Sequence, residues 1–220
     1  EDDGPKVNAD PAKAETFELD ESLVGDPDGV VSVTKDFATG FGTITPSNYG
    51  TDGEGDIEYS LALGTGGTGT GIYALDPSNT TPTDPADYGK GAAITLAVAA
   101  NGTDIIGTDG TTTYFTISVD PTDPAGKVTF SQDANIWHGD QTDPDDTETL
   151  VLADKAIILK QTITDADGDT DTADLDLSQS TFTIDDDGPS VTQGGSGTEP
   201  TALEVDETVL ATDATGDFSV

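Results

Sequence analysis

The strongest chemical signal in the sequence is a run of alternating aspartates, DADGDTD, over residues 165–171. Asp165, Asp167 and Asp169 can present carboxylate oxygens to one point, and Gly168 permits a sharp turn. Oxygen is the ligand that Ca²⁺ prefers. An EF-hand is excluded, because glycine is fourth here rather than sixth and the twelfth residue is Asp176 rather than glutamate. The run predicts a calcium site between two strands or, as the simpler alternative, a polar turn.

A second acidic group, DDDGP, lies at residues 185–189 and is echoed at residues 2–5. Adjacent carboxylates repel one another unless a cation lies between them. We therefore predict a calcium clamp between domains, in which Asp206 and Glu207 of the following segment can also take part. The alternative is a stiff acidic linker. The predicted ligands within the first unit are Asp2, Asp3, Asp20, Glu21, Asp185, Asp186 and Asp187.

A third group is WHGDQTDPDD, residues 137–146, which contains the only tryptophan and the only histidine. Asp140, Asp145 and Asp146 are candidate metal ligands, and a solvated loop is the alternative. His138 is interpreted as a structural hydrogen-bonding residue, since Ca²⁺ prefers oxygen. Trp137 by itself is typical of a core residue.

A fourth group, YGTDGEGDIEY at residues 49–59, interleaves glycines with acids. Its candidate metal ligands are Asp52, Glu54 and Asp56. Glycine lets another backbone approach closely, so the loop is either a ligand-binding surface or a flexible turn. The candidate ligand-binding residues are three glycines and three aromatic residues: Gly50, Gly53, Gly55, Tyr49, Tyr73 and Trp137.

The charge of the chain limits its partners. Against 44 acidic residues there are 7 basic ones, all lysine, and the net charge is −37. Phosphate contacts would be repelled, so we expect neither nucleic acid nor an anionic membrane surface as a partner. There is no cysteine and one histidine, which excludes disulfides and multi-histidine metal sites. No apolar run is long enough for membrane insertion, and no catalytic constellation is evident. We therefore expect a protein that is not an enzyme and that is stabilised by Ca²⁺.

An internal repeat indicates the domain organisation. DDGPKV at residues 2–7 recurs as DDGPSV at 186–191, and LDESL at 19–23 recurs as VDETV at 205–209. Fixed-offset similarity is the signature of a tandem array. We predict an acidic interdomain linker at residues 1–5, one complete unit at 6–189 and the start of the next repeat or a C-terminal extension at 190–220. The chain is then a piece of a longer polypeptide.

The apolar pattern predicts an all-β fold. Short runs with period-two alternation are separated by glycine, aspartate and proline, which is typical of an antiparallel β-sandwich. Residues 145–158 could form a helix, but we interpret them as strand. Long loops are predicted at 64–71 and 76–91. The predicted strands are 30–37, 57–63, 92–98, 113–119, 127–132, 156–164 and 172–184.

Taken in order, several segments resemble a known family. They are YGTDGEGDIEYSLAL, GIYAL, YFTISVD, NIWHGDQTDPDD, TDADGDTDTADLDL and DDGPSV, over about residues 2–191. This series is similar to the repeat of type I secretion targets among the repeats-in-toxin (RTX) adhesins, and more narrowly to their calcium-dependent peptide-binding domain. The resemblance implies a calcium-rich β-sandwich on a bacterial surface fibre that attaches cells and promotes biofilm. It also implies a peptide ligand held by its free C-terminus with Ca²⁺ taking part.

Three functions follow as expectations. The first is a calcium-dependent adhesive module that binds peptide C-termini of surface proteins on host or neighbouring cells. Such a protein would be extracellular, exported by type I secretion to the bacterial surface, and in contact with adjacent repeats of the same adhesin. The second is a purely structural spacer stiffened by calcium. The third is a calcium-dependent lectin, in which an exposed Ca²⁺ takes sugar hydroxyls.

Overall fold

The structure is a computed structural model that describes residues 3–21, 30–123, 126–143 and 145–187. Within these ranges the chain forms strands and short 3₁₀ helices but no α-helix. No helix there has the length and apolar character needed to cross a membrane. The strands are Thr16–Asp20 (β1), Ser32–Asp36 (β2), Glu54–Leu63 (β3), Gly69–Leu75 (β4), Lys90–Val98 (β5), Ile105–Thr108 (β6), Thr113–Val119 (β7), Lys127–Gln132 (β8), Ile136–Trp137 (β9), Thr147–Thr149 (β10), Ile157–Asp165 (β11), Thr170–Asp176 (β12) and Thr181–Asp185 (β13).

The strands form one large sheet and two small ones. The large sheet has the order β2-β8-β7-β6-β5-β4-β9, and its strand pairs are antiparallel. One small sheet is β12-β11-β3, also antiparallel. The other is β1-β13-β10, in which β1 and β13 run parallel. The predicted all-β class, with mostly antiparallel sheets consistent with a β-sandwich, is confirmed.

The packing between sheets is dominated by phenylalanine rings. Phe17 of β1 stacks on Phe182 of β13 with ring centroids 4.7 Å apart. Phe130 of β8 meets Phe182 edge-on at 5.2 Å and Phe115 of β7 at 5.4 Å. All four rings are fully buried. They join the small β1-β13-β10 sheet to the large sheet, and in β1, β8 and β13 the phenylalanines alternate with less buried residues.

Strand β11 shows how the alternation of buried and half-buried residues places Asp165 on the core face. Its residues alternate between buried and half-buried positions along the whole strand. Ile157, Leu159 and Ile163 occupy the core face, and Gln161 on the same face donates from Nε2 to the hydroxyl of Tyr59 at 2.6 Å. The same period of two places Asp165, the last residue of the strand, on the buried face.

Several strand boundaries differ from the predicted ones. Glycine-rich 64–71 is not entirely a loop, because β4 begins at Gly69. Residues 172–184 form two strands rather than one, since a 3₁₀ helix at Leu177–Gln179 separates β12 from β13. The segment 145–158 contains no helix; it holds β10 and the start of β11 with a turn between them. Strands β1, β4, β6 and β9 lie outside the predicted strands.

The domain limits predicted from the repeat lie partly outside the described residues, including all of 190–220. At the other end, residues 3–5 lie against the β-sandwich. Pro5 is buried, and a β-carbon at Gly50 would lie 1.5 Å from the carbonyl oxygen of Asp3. Nearby, the amide of Val7 donates to Asp171 Oδ2 at 2.8 Å. The described part of the predicted linker thus contacts the fold.

The phenylalanine cluster leads to a stability prediction. Phe130→Ala should lower the free energy of unfolding by about 3–5 kcal/mol, because it leaves a cavity between two sheets. Val98→Ala is the control: Val98 is 51% exposed, so its truncation should change stability by less than about 0.5 kcal/mol. Urea denaturation of both variants in calcium measures the difference. Equal effects would contradict this account of the core.

Candidate metal centres

The first candidate centre lies where β11 turns into β12. Asp165 ends β11, and its Oδ1 accepts the backbone N–H groups of Gly168 at 3.1 Å and Asp169 at 2.8 Å. Gly168 has φ of 103°, a conformation that a side chain would strain. The turn therefore has the predicted location, and the aspartate that begins it is fixed by its own backbone.

A distant loop completes this centre. The carbonyl of Gly53 accepts the amide of Ala166 at 3.1 Å, which holds the loop before β3 against the turn. One carboxylate oxygen each from Asp52, Asp165 and Asp167 then lies within 4.8 Å of the others. We call these three residues the hairpin cluster. Sequence reasoning selected all three but assigned Asp52 to a separate loop.

The hairpin cluster combines a buried carboxylate with two exposed ones. Asp165 is 3% exposed, and its Oδ2 receives no hydrogen bond among the described residues. Asp52 and Asp167 are exposed. Contact with the Asp165 carboxylate raises the pKa of Asp167, with burial and the charges of Asp165 and Asp52 acting in the same direction. The three carboxylates therefore repel one another unless a cation or a proton neutralises part of their charge.

A second candidate centre joins residues from three distant segments. Glu21 follows β1, His138 follows β9 and Asp186 follows β13. One ligand atom from each lies within 4.8 Å of the others. We call these three residues the imidazole cluster. It brings together parts of two predicted groups, the acidic clamp and the 137–146 loop.

The buried charges of the imidazole cluster influence one another. Burial lowers the pKa of His138, but Glu21, Asp186 and Glu148 raise it by more, so the net shift is upward. Burial also raises the pKa of Asp186; His138 opposes this rise, whereas Glu21 and Asp146 add to it. This pocket of negative charge therefore favours a positive charge at its centre.

The interpretation of His138 as a structural hydrogen-bonding residue is wrong for the described chain. Neither ring nitrogen has a hydrogen-bond partner there, and Nε2 lies 3.7 Å from Glu21 Oε1. The adjacent Trp137 is half-buried rather than a core residue, and its Nε1 donates to the carbonyl of Tyr88 at 2.8 Å. Apolar neighbours in sequence do not reveal which side of a two-residue strand faces the core.

Many aspartates close turns. Asp140 Oδ1 accepts from the amide of Thr142 at 3.0 Å and from its hydroxyl at 2.6 Å. These bonds lower the pKa of Asp140. Asp76 and Asp120 make the same arrangement with Ser78 and Thr122. Such turns need the short aspartate side chain, which gives a reason besides metal binding for its predominance over glutamate.

The remaining predicted metal ligands lie in several places. Asp2 is outside the described residues. Asp3 and Asp169 line an open depression of about 500 Å³ beside the hairpin turn. Asp20 and Asp185 are paired across β1 and β13, and Asp187 follows as an exposed residue. Four others lie outside both clusters. Glu54 and Asp56 occupy exposed positions of β3, and Asp145 and Asp146 lie in the 137–146 segment that also contains His138.

At two of the predicted ligand-binding glycines, the chain's own backbone occupies the space beside the α-carbon. The backbone of Asp3 occupies the space beside Gly50, and the carbonyls of Thr164 and Asp165 occupy that beside Gly55. Gly53 has φ of 98° and open space on its side-chain face. Glycine at positions 50 and 55 is therefore explained by internal packing, and only Gly53 among the three faces open space.

The three aromatic residues predicted to bind ligand lie in two separate parts of the fold. Tyr49 is 2% exposed and lies near Glu54 and Asp56; burial, and then these charges, raise its pKa. Tyr73 and Trp137 are half-buried on β4 and β9, with ring centroids 6.0 Å apart. Lys90 Nζ lies 4.2 Å from the Tyr73 ring and 4.7 Å from that of Trp137, a cation–π arrangement. Tyr73 and Trp137 thus contact each other and Lys90.

Comparison with protein families gives one match. The model of a domain of unknown function, DUF5801, matches residues 15–178. The chain belongs to the DUF5801 family. The matched segment of this DUF5801 domain contains the whole hairpin cluster, as well as Glu21 and His138, whereas Asp186 lies beyond it. No curated protein and no solved structure matches the chain significantly.

Proposed function

We propose that this DUF5801 domain is a calcium-dependent, non-enzymatic adhesive module of a large bacterial surface protein. The observation that carries the proposal is the buried carboxylate of Asp165: its Oδ2 has no hydrogen-bond partner among the described residues, and one of its oxygens lies within 4.8 Å of carboxylate oxygens of Asp52 and Asp167. A buried carboxylate oxygen without a partner is costly, and a bound cation removes that cost. The sequence resemblance to RTX adhesins supports the same conclusion independently.

Calcium fits the hairpin cluster better than magnesium. The donors are three carboxylates, one from the loop before β3 and two from the turn between β11 and β12. Ca²⁺ accepts variable geometry and about 6–8 oxygen ligands, whereas Mg²⁺ demands near-octahedral geometry and retains water. The net charge of −37 further favours divalent cations, since each bound ion reduces the repulsion among carboxylates.

The exposed side of the hairpin cluster supports a role in ligand binding. With Asp165 Oδ1 already bonded to two amides, the three carboxylates leave part of the roughly 6–8-member shell of Ca²⁺ to other ligands. A free peptide C-terminus is a carboxylate of the right kind. The chain has no arginine to receive it, so an incompletely coordinated Ca²⁺ is the strongest available acceptor.

The proposal includes the setting of the domain. We place it on the outside of a bacterial cell after type I secretion, in tandem with adjacent repeats, where it binds peptide C-termini of surface proteins on host or neighbouring cells. The recurrence of DDGP and of LDES-like segments supports the tandem arrangement, and the absence of cysteine agrees with an exported bacterial protein that relies on metal ions for stability.

Calorimetric titration of Ca²⁺ tests the hairpin cluster. Asp165→Asn keeps an oxygen for the two amide donors but removes the buried charge, so it should eliminate one calcium-binding event or weaken it about 100-fold. Asp174→Asn is the matched control, because Asp174 is an exposed aspartate of the neighbouring strand β12. Identical titrations of wild type and Asp165→Asn would refute calcium binding at this cluster.

A further inference from the structure

A buried imidazole lies beside two carboxylates at the ends of β1 and β13, and we propose that Glu21, His138 and Asp186 bind a divalent transition-metal ion of the Zn²⁺ type. This inference does not depend on calcium at the hairpin cluster, which contains none of these residues. At Glu21 and Asp186, which the sequence predicts as ligands of a calcium clamp, the proposed ion is therefore zinc rather than calcium.

The state of His138 is the first reason. Its side chain is only 7% exposed, yet neither ring nitrogen has a hydrogen-bond partner among the residues that the structure describes. A buried polar group without a partner destabilises a fold. Glu21, with a side chain 3% exposed, lies 3.7 Å away from Nε2, which is beyond hydrogen-bonding distance. A metal ion between the two residues would give the imidazole the partner that it lacks.

The distances are the second reason. Ligand atoms at 2.0–2.2 Å from a tetrahedral zinc ion lie about 3.4 Å from one another. The separation of 3.7 Å between His138 Nε2 and Glu21 Oε1 is close to this value, and the whole set lies within 4.8 Å. Small side-chain rotations would therefore bring the three residues into coordination, leaving a fourth position for water or another ligand.

Residues around the cluster hold its members in place. Glu21 Oε1 accepts from Gln132 Nε2 at 2.5 Å and from the amide of Ile136 at 2.8 Å. The amide of Glu21 donates to the carbonyl of Asp185, and that of Asp186 to the carbonyl of Asp146. Such surrounding hydrogen bonds orient metal ligands and strengthen binding. The ligand set is thus fixed by three segments that tertiary folding joins.

The chemistry of the ligands selects the ion. Imidazole nitrogen suits Zn²⁺ and its neighbours in the first transition series, whereas Ca²⁺ takes oxygen ligands. Asp146 and Glu148 add negative charge near the site without a second imidazole. One nitrogen and two carboxylates therefore favour zinc over calcium at this cluster.

Zinc titration of the calcium-saturated 220-residue chain tests the proposal. Because the chain has one histidine, its imidazole ¹⁵N signals need no assignment. We expect one zinc ion per chain at the highest affinity, together with a shift of both imidazole signals. His138→Gln should weaken this binding by at least about 100-fold, since loss of a direct ligand exceeds the 10–100-fold cost of losing a residue that orients one.

Two further variants complete the zinc experiment, one as a control for surface binding and one as a test of a second ligand. Glu58→Gln, an exposed position on β3, should bind zinc as wild type does and controls for weak association with surface acids. Asp186→Asn should lose the zinc-induced rise in melting temperature, and it decides the matter if His138→Gln fails to fold without metal. Unmoved imidazole signals, or zinc binding unchanged in a folded His138→Gln or Asp186→Asn protein, would overturn the proposal.

Discussion

Removing calcium should lower the melting temperature of the domain by about 10 °C. An ion that binds only the folded state stabilises it by about 4 kcal/mol at a thousandfold excess over Kd. For a protein of 150–250 residues, each 1 kcal/mol shifts the melting temperature by about 2–4 °C. Thermal unfolding followed by circular dichroism, in calcium and in excess chelator, measures the effect. Calcium should restore stability more fully than magnesium.

The variant Asp165→Asn distinguishes the contribution of the calcium ion at the hairpin cluster from that of any other bound ion. In chelator the amide should be at least as stable as the wild type, because it removes a buried charge while keeping an acceptor for Gly168 and Asp169. In calcium it should be less stable than the wild type, because the hairpin ion no longer binds. An unchanged wild-type melt in excess chelator would disprove calcium-dependent stability.

A peptide with a free C-terminus should bind the calcium-loaded domain at least about tenfold more tightly than the same peptide with an amidated end. The carboxylate would complete the shell of the hairpin Ca²⁺, and charge-assisted contacts of this kind exceed those of neutral groups. Fluorescence anisotropy with a labelled peptide library, screened as paired acids and amides, measures the ratio. Chelator should abolish binding of the free-acid form.

Two substitutions locate the site of peptide binding. Asp52→Asn should weaken peptide binding more than it lowers the melting temperature, because Asp52 is an exposed member of the hairpin cluster and Asp165 and Asp167 remain to hold the ion. Asp140→Asn is the matched control, since Asp140 is also exposed but closes a turn with Thr142. Equal affinity for acid and amide would disprove the carboxylate–calcium mechanism. Competition by free sugar would then favour a lectin, and absence of any ligand a spacer.

The all-β class and the turn between β11 and β12 could be predicted from the sequence because both depend on local patterns. Period-two alternation predicts strands wherever one face is buried, as along β11. The DADGDTD run predicts a turn with convergent carboxylates, because glycine and aspartate have local conformational preferences. In the structure Asp165 and Gly168 occupy that turn.

Short and irregular elements could not be predicted in this way. Strand β6 is 4 residues long and β9 is 2, so that few alternating positions exist to distinguish them from loops. The break between β12 and β13 has no glycine or proline to mark it; Asp176 instead caps the 3₁₀ helix by accepting the amide of Ser178. The parallel pairing of β1 with β13 joins the two ends of the domain, which no local pattern specifies.

By itself the sequence determined the fold class, the excess of acidic charge and the aspartates of the hairpin turn, because each is a property of composition or of residues close together in the chain. Only the tertiary structure decided which distant groups meet. It placed Asp52 beside Asp165, filled the space at Gly50 with the chain's own backbone, and buried His138 against Glu21. The physical reason is that strand pairing and packing, rather than proximity in sequence, set the distances between residues far apart in the chain.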